Sequence, residues 1–191
     1  MNSQALVAGE DKRGKMRILR LALVAVAAVA AIVDGSKFAA RKEQAMGTQS
    51  AKAQEGRAFR IFNPETMAKP TAGYSQVAEV DEGKIVYIAG QIALDKSGNL
   101  VGKDDLRAQV QQVFENLKAA VEASGGDFHN VIKLNYYCVA SVDPAQMTVV
   151  REVRDKYVNT ANPPTSTFVY VQRLVRPEWL IEVDAVAVVK K

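Results

Sequence analysis

Two carboxylates near the C-terminus are the residues of this sequence best suited to acid–base chemistry. Glu182 and Asp184 are separated by one residue within a β-rich segment, Trp179–Val189, so on a strand their side chains point to the same side. Two carboxylates held close together raise the pKa of one of them, which then acts as an acid while the other stays charged. The spacing fits such a pair and equally a polar strand face at an interface, and both interpretations stay open.

The sequence offers few other groups for catalysis or metal binding. It holds one histidine, His129, and one cysteine, Cys138. These are too few soft ligands for a structural zinc site, and any serine-protease-like triad would have to use His129. Cys138 lies among apolar residues of a predicted strand, so we expect a buried small side chain. We therefore expect no metal and no other cofactor.

The positive charge of the chain is confined to its beginning. Residues 1–57 carry ten Lys and Arg and five Asp and Glu, a balance of +5, within a net charge of +4 for the whole chain. Residues 58–191 carry fifteen Lys and Arg and sixteen Asp and Glu, a balance of −1. A surface that binds nucleic-acid phosphates shows clustered Lys and Arg in the folded domain. Nucleic acid is therefore not an expected partner.

An apolar run near the N-terminus predicts a targeting segment. Basic residues precede thirteen consecutive apolar residues, Leu21–Val33. A membrane-spanning helix needs about 20 residues, whereas the core of a signal peptide needs about 7–15. Residues 1–33 are predicted to be a signal peptide that exports the protein to the periplasm or outside the cell, with a membrane anchor or an organellar signal as the alternatives. Residues 34–57 are predicted to be a linker, and residues 58–191 the folded domain.

Two amphipathic helices are predicted within that domain. Between Leu106 and Val121, five apolar residues recur at spacings of four, three, four and four, which places them on one helical face. Asp104 or Asp105 can cap the start of this helix. A second helix is predicted to begin at Asp143–Pro144, because aspartate accepts free backbone N–H groups and proline fits a first turn.

Six β-rich segments surround the two helices and give the element order β-β-β-α-β-α-β-β. They are Phe59–Phe62, Gln76–Val80, Lys84–Leu94, Val131–Ala140, Ser166–Arg173 and Trp179–Val189. The turn Asp81–Gly83 predicts a hairpin between the second and third strands. This order predicts an α+β fold, with both helices on one face of a mostly antiparallel sheet. Alternating residues of the last strand (Ile181, Val183, Ala185, Ala187) predict an apolar opposite face that a symmetric homo-oligomer would cover.

Three segments carry a resemblance to a known family. Tyr87–Ile92, Glu122–Gly126 and Ile181–Val188 occur in the order and register typical of the Rid family of reactive intermediate deaminases, also called YjgF or L-PSP. The resemblance covers residues 70–189 and implies a chorismate-mutase-like fold, a homotrimer and three clefts between subunits. It also implies hydrolysis of enamines and imines, in particular 2-imino acids, to keto acids and ammonia.

The resemblance also implies a set of site residues. Glu182 matches the family glutamate that positions water, and is the expected catalytic residue. Tyr74 matches the cleft tyrosine and Gly90 the glycine of a Ser-Gly-Gln step, in which Ala89 replaces the serine. Ser166 falls where the family has its carboxylate-binding arginine. These positions and Arg151, which falls near a family asparagine, are the expected substrate-binding residues.

The serine at position 166 divides the functional hypotheses. Arginine binds a carboxylate bidentately, and truncating such a buried contact costs about 2–5 kcal/mol. Hydrolysis of 2-imino acids is therefore in doubt, unless Arg151 or Arg154 supplies a cation, although both also fit solvated helix charges. The first hypothesis is a hydrolase of C–N bonds, an enamine or imine deaminase. The alternative is a non-catalytic trimer that binds a small molecule or a protein, and ribonuclease activity is the least favoured.

Overall fold

The computed structural model describes residues 58–191, and the eight helices and strands within them follow the predicted order. The predicted signal peptide or membrane anchor, residues 1–33, and the predicted linker, residues 34–57, lie outside the described residues. The elements are β1 (Phe59–Phe62), β2 (Val77–Val80), β3 (Lys84–Gln91), α1 (Leu106–Ala123), β4 (Val131–Val139), α2 (Met147–Arg154), β5 (Thr165–Val171) and β6 (Ile181–Val189). Short 3₁₀ turns, Phe128–Asn130 and Pro144–Gln146, precede β4 and α2.

Helix α1 begins and ends where the sequence chemistry predicts. The Asp105 carboxylate accepts a hydrogen bond from the Ala108 backbone N–H at 3.1 Å, which caps the first turn. At the other end Gly125 adopts a φ of +90°, the left-handed conformation that terminates helices and suits glycine. All five apolar residues of the predicted stripe are buried. The helix is therefore held to the sheet by this one face.

Helix α2 begins three residues later than predicted. The Asp143 carboxylate accepts a hydrogen bond from the Ala145 N–H at 2.8 Å, but it caps the 3₁₀ turn that contains Pro144. The α-helix follows from Met147 and buries Val150 and Val153. Arg151 and Arg154 therefore lie three residues apart, in its last turn.

The main sheet has the strand order β3-β6-β4-β5. Strand β6 is antiparallel to both of its neighbours, whereas β4 and β5 are parallel because α2 forms the crossover between them. The core lies between this sheet and the helices, and the predicted alternation of β4 is observed there. Leu134, Tyr136 and Cys138 are buried on the helix side. No helix within residues 58–191 is both long enough and apolar enough to cross a membrane.

The predicted hairpin between the second and third strands is wrong. Strand β2 pairs with β1 in a separate two-stranded sheet, and β3 pairs with β6. The backbone N–H groups of Asp81 and Glu82 both donate to the Ala58 carbonyl, at 2.9 and 3.1 Å. The turn thus carries the chain from one sheet to the other. The small sheet packs Phe59 and Ile61 against Val188 of the main sheet.

The predicted position of the apolar strand face is also wrong. Ile181, Val183, Ala185 and Ala187 lie in the core under the helices, with 0–1% of their surface exposed. The opposite face of β6 instead carries Glu182 and Asp184. An alternating strand turns its apolar half toward the core, so its polar half marks the uncovered face.

Candidate functional site

A pocket of about 300 Å³ lies between α2, the edge strand β5 and the segment before β2. Its polar lining residues come from all three regions and from the neighbouring strand β4. They are Tyr74, Tyr136, Arg151, Arg154 and Ser166. The apolar lining residues are Ala72, Met147, Val150 and Phe168. Three of the expected substrate-binding residues, Tyr74, Arg151 and Ser166, therefore lie together.

Backbone pairing places Tyr74 and Ser166 at this pocket. Strand β5 runs beside β4 with Ser166 opposite Leu134, so the serine is on the helix side of the sheet. The next residue after Tyr74, Ser75, donates its N–H to the Pro164 carbonyl at 3.2 Å and bridges to Thr165. This contact fixes the segment that carries Tyr74 against the start of β5.

Two guanidinium groups reach the pocket from α2. Arg154 is 9% exposed, and its Nε and Nη2 donate to the Asp155 carboxylate at 2.8 and 2.6 Å. Its Nη1 donates to the Ala72 carbonyl at 3.3 Å. Arg151 is exposed and forms no ion pair or side-chain hydrogen bond within residues 58–191. The prediction that a helix arginine could bring a cation to the ligand site is consistent with this geometry.

Tyr136 is a pocket residue that the sequence analysis did not identify. Its side chain is 3% exposed and its ring stacks on Phe168 with 5.5 Å between ring centroids. Its hydroxyl is buried and has no hydrogen-bond partner among residues 58–191. Burial raises the pKa of this phenol, and the nearby charge of Arg154 partly opposes the increase. The only sequence signal was a tyrosine at a position that the alternation of β4 turns toward the core.

Gly90 and Glu182 form a second group, on strands β3 and β6. The Glu182 carboxylate lies directly over the Gly90 backbone, in the space that a Cβ atom on residue 90 would occupy. Glu182 is half-buried, and no side chain of residues 58–191 donates a hydrogen bond to it or pairs with it. A carboxylate in this position is free to accept a hydrogen bond from water or a ligand.

Asp184 shares the face of Glu182, as the spacing predicts, but its oxygens already have partners. Asn135 donates to one of them at 2.8 Å and the Tyr137 hydroxyl to the other at 3.0 Å. The hydrogen bond to Asp184 raises the pKa of Tyr137, with smaller contributions from burial and from the charges of Asp184 and Glu182. Asp184 thus ties β6 to β4, which leaves Glu182 as the carboxylate available for chemistry.

The two groups of site residues do not meet within one chain. The pocket lies on the helix side of the sheet at its β5 edge. Glu182 lies on the opposite face, in a strand separated from β5 by β4. Neighbouring strands are about 4.8 Å apart, so two spacings and the thickness of the sheet separate Glu182 from Ser166. One chain therefore presents a binding pocket and, elsewhere, a free carboxylate.

His129 and Cys138 do not belong to either group. His129 is exposed in the turn before β4, with its Nδ1 3.3 Å from the Asp127 carboxylate. Cys138 is fully buried, and this burial raises the pKa of its thiol to about 11, which favours the unreactive protonated form. Within residues 58–191, no three His, Cys, Asp or Glu side chains come together as metal ligands.

Similar proteins cover the folded part of the chain. Protein DfrA of Myxococcus xanthus is 36% identical over 131 residues, which are 69% of this chain and 96% of that protein. A 2-iminobutanoate/2-iminopropanoate deaminase of Dermatophagoides farinae is 32% identical over 108 residues, 56% of this chain and 80% of that protein. The solved structure of YyfB from Yersinia pestis, a protein of unknown function in the conserved Rid family, is 36% identical with a TM-score of 0.64, covering 70% of this chain and all of that one.

A family model matches most of the folded part of the chain. Residues 65–189 match the model described as Endoribonuclease L-PSP, and this match includes both groups of site residues and all elements from β2 to β6. The α+β fold with two helices on one sheet face agrees with the solved structure from Yersinia pestis. The chain belongs to the Endoribonuclease L-PSP family, also called the Rid or YjgF family.

Proposed function

We propose that this protein hydrolyses imines or enamines of small organic acids to carbonyl compounds and ammonia. The observation that carries the proposal is the pocket that gathers Tyr74, Ser166 and Arg151 with a buried second arginine, Arg154. A cation on α2 offers a carboxylate anchor in place of the strand arginine that Ser166 replaces. The deaminase of Dermatophagoides farinae, 32% identical, is named for two substrates of this class.

The complete site is proposed to form between subunits of a homotrimer. Each chain would contribute its pocket to one cleft, and the Gly90–Glu182 pair to the next. This arrangement accounts for the separation of the two groups across the sheet. It also gives the half-buried, unpaired Glu182 carboxylate a partner in the ligand or its water.

The proposed reaction needs few groups. Glu182 accepts a proton from a water molecule as the water oxygen attacks the C=N carbon, and the nitrogen takes up a proton to give a carbinolamine. The hydroxyl proton of the carbinolamine then passes to the nitrogen through Glu182, the carbon–nitrogen bond breaks, ammonia leaves, and the oxygen becomes the carbonyl. Tyr74 and Ser166 hydrogen-bond or pack against the ligand, and Gly90 leaves room for the Glu182 carboxylate.

Release of keto acid from 2-iminobutyrate tests this function. The full chain is expected to exceed the uncatalysed rate, and Glu182→Gln is expected to lose about a hundredfold or more of that rate, since positioned acid–base groups contribute about 10²–10⁴-fold. Glu122→Gln is the control, because among the described residues this exposed carboxylate pairs only with Lys118 on α1. Equal rates for Glu182→Gln and the natural chain would contradict the role of Glu182.

Ser166→Arg separates the hydrolase from the second candidate function. The second candidate is a non-catalytic trimer that binds a metabolite in the same clefts, and the serine at position 166 of the pocket favours it. Activity of the natural chain supports the hydrolase of organic acids. Activity of Ser166→Arg alone would point to uncharged ligands, and inactivity of both would support the binding protein. Residues 58–191 have a net charge of −1, which does not favour the binding of RNA phosphates that ribonuclease activity needs.

The location of the protein is a separate proposal that rests on the sequence. Thirteen apolar residues behind a basic segment favour export by a cleaved signal peptide over a membrane anchor. N-terminal sequencing of the protein from its own cells distinguishes the two. A new N-terminus beyond residue 30 supports cleavage, and an intact leader in the membrane fraction would support the anchor.

A further inference from the structure

The polar lining of the pocket consists of cationic and hydroxyl side chains. Arg151 and Arg154 contribute guanidinium groups, and Tyr74, Tyr136 and Ser166 contribute hydroxyls. No aspartate or glutamate of residues 58–191 lines this pocket. Asp155 neutralises the charge of Arg154, whereas Arg151 has no ion pair within residues 58–191, so the pocket keeps one positive charge. A ligand group that is negatively charged and accepts hydrogen bonds therefore fits this lining.

The buried phenol of Tyr136 lacks the partner that such a ligand would supply. Its ring is fixed between Phe168, stacked at 5.5 Å, and Phe114, at 6.4 Å. Its hydroxyl has no hydrogen-bond partner in the described part of the chain, although buried hydroxyls in proteins almost always have one. A phenylalanine would serve packing equally well at this position. A tyrosine at this position is therefore explained by a ligand atom that enters the pocket and accepts a hydrogen bond from its hydroxyl.

Arg154 is held in place with donors to spare. A guanidinium has five N–H groups, and Arg154 uses three of them, two toward Asp155 and one toward the Ala72 carbonyl. One N–H on each Nη nitrogen has no acceptor among residues 58–191. The backbone of Gly73 also packs closely against the guanidinium of Arg154. The approach is so close that a Cβ on residue 73 would lie 2.6 Å from Nη2. A buried guanidinium fixed in this way is preorganised to bind a carboxylate.

We propose that Arg154 and Tyr136 together bind the carboxylate of a small 2-imino or 2-oxo acid and replace the missing strand arginine as its anchor. The proposal rests on the proposed use of this pocket as the ligand site, but it does not require hydrolysis. Met147, Val150 and Phe168 supply an apolar wall for a short side chain. A volume of about 300 Å³ is at the lower end of the range for ligand pockets, which favours small acids.

Calorimetric binding of 2-oxobutyrate and its neutral analogue 2-oxobutanamide to the full chain tests this anchor. The natural protein is expected to bind the carboxylate at least tenfold more tightly than the amide. Arg154→Gln is expected to remove this preference, and Tyr136→Phe to reduce it several-fold, because each raises the Kd for the carboxylate more than the Kd for the amide. Arg60→Gln, which removes a positive charge paired with Glu79 on the small sheet, is the control for net charge.

The outcomes separate the anchor from the hydrolase function. An equal Kd for the two probes in the natural protein, or an unchanged preference in Arg154→Gln, would overturn the anchor. Loss of the preference in Arg151→Gln alone would assign it to the exposed arginine instead. If Arg154→Gln melts far below the natural protein, Tyr136→Phe, which keeps the ring, decides the question. A carboxylate preference without keto-acid release would support the anchor and contradict only the hydrolase.

Discussion

The backbone of Ala72 and Gly73 positions Arg154. The Ala72 carbonyl accepts a hydrogen bond from its guanidinium, and Gly73 packs closely against the same group. Gly73 has a φ of +67° and a Cβ there would meet the guanidinium. Gly73→Ala is therefore expected to displace Arg154 and to weaken 2-oxobutyrate binding about tenfold, at a cost in stability of about 1–2 kcal/mol for a left-handed alanine. Calorimetry and urea unfolding measure the two effects.

Gly98→Ala is a matched control for that substitution. Gly98 has a similar φ of +83°, but nothing lies within 4 Å of a Cβ at this position. The Gly98→Ala variant should lose a similar free energy of unfolding and keep the affinity of the natural protein for 2-oxobutyrate. Equal affinities for both variants would show that the packing of Gly73 does not position Arg154.

Cys138 makes stability depend on pH in the alkaline range. Burial raises the pKa of its thiol from 9.0 to about 11, so the folded state keeps a proton that the unfolded state loses. The free energy of unfolding is therefore expected to fall as pH rises from about 9 to 11, by about 1.4 kcal/mol for each pH unit. Urea unfolding at several pH values, compared with Cys138→Ala, isolates this contribution. Parallel profiles for the two proteins would contradict it.

The sequence predicted part of the site and missed its most buried polar residue. Tyr74, Ser166 and Arg151 could be assigned from motif positions, and they do lie in one pocket. Tyr136 could not, because its alternation within β4 marks it only as a core residue. Its hydroxyl is buried because Phe168 and α2 pack around it, and both lie more than ten residues away along the chain.

At the scale of elements, Gln109 joins α1 to the segment that leads into β6. Its buried amide donates to the Gly102 and Glu178 carbonyls and accepts from the Leu180 N–H at 2.8 Å. Gln109→Leu is expected to lower the free energy of unfolding by about 2–4 kcal/mol, because buried backbone groups lose their partners. Urea unfolding measures the loss.

Gln112→Leu on the same helix is the comparison for this prediction. Within residues 58–191 its amide hydrogen-bonds only to Asn116, one turn along α1. We expect a loss of about 1 kcal/mol or less, the usual value of a single neutral hydrogen bond. A similar loss in both variants would mean that Gln109 does not act as a connection between elements.

Element order could be predicted from local patterns, whereas strand pairing could not. The spacing of apolar residues in α1 and the turn residues between segments fix where elements begin and end. The partner of β2 instead depends on Ala58, which accepts two backbone hydrogen bonds, and on the pairing of β3 with β6 about 100 residues later. Such long-range contacts leave no periodic signal in a single sequence.

At the scale of the whole molecule, the sheet face opposite the helices exposes apolar side chains on its two edge strands, with Glu182 and Asp184 on β6 between them. Ile85, Tyr87 and Val169 are exposed on it, and Tyr87 has 80% of its surface accessible. Exposed apolar side chains at the edges of the sheet are consistent with the proposed homotrimer. The full chain, with its leader uncleaved, is then expected to sediment at three times its mass of 20.8 kDa.

Tyr87→Arg is expected to dissociate the trimer while leaving the chain folded, because a charge would be buried in the subunit contact. Val175→Arg is the control, since Val175 is 78% exposed but lies in the loop between β5 and β6. Sedimentation velocity distinguishes the assemblies. A trimeric Tyr87→Arg variant would show that another surface joins the subunits.

The most direct test of a site shared between subunits is complementation of two inactive variants. Glu182→Gln removes the carboxylate, and Ser166→Trp fills the pocket of about 300 Å³. Each alone should be inactive on 2-iminobutyrate. Co-expression in equal amounts should restore about a quarter of the natural rate of keto-acid release, because about one cleft in four then combines an intact pocket with an intact Glu182 from its neighbour. Mixed trimers as inactive as either variant would contradict the shared cleft.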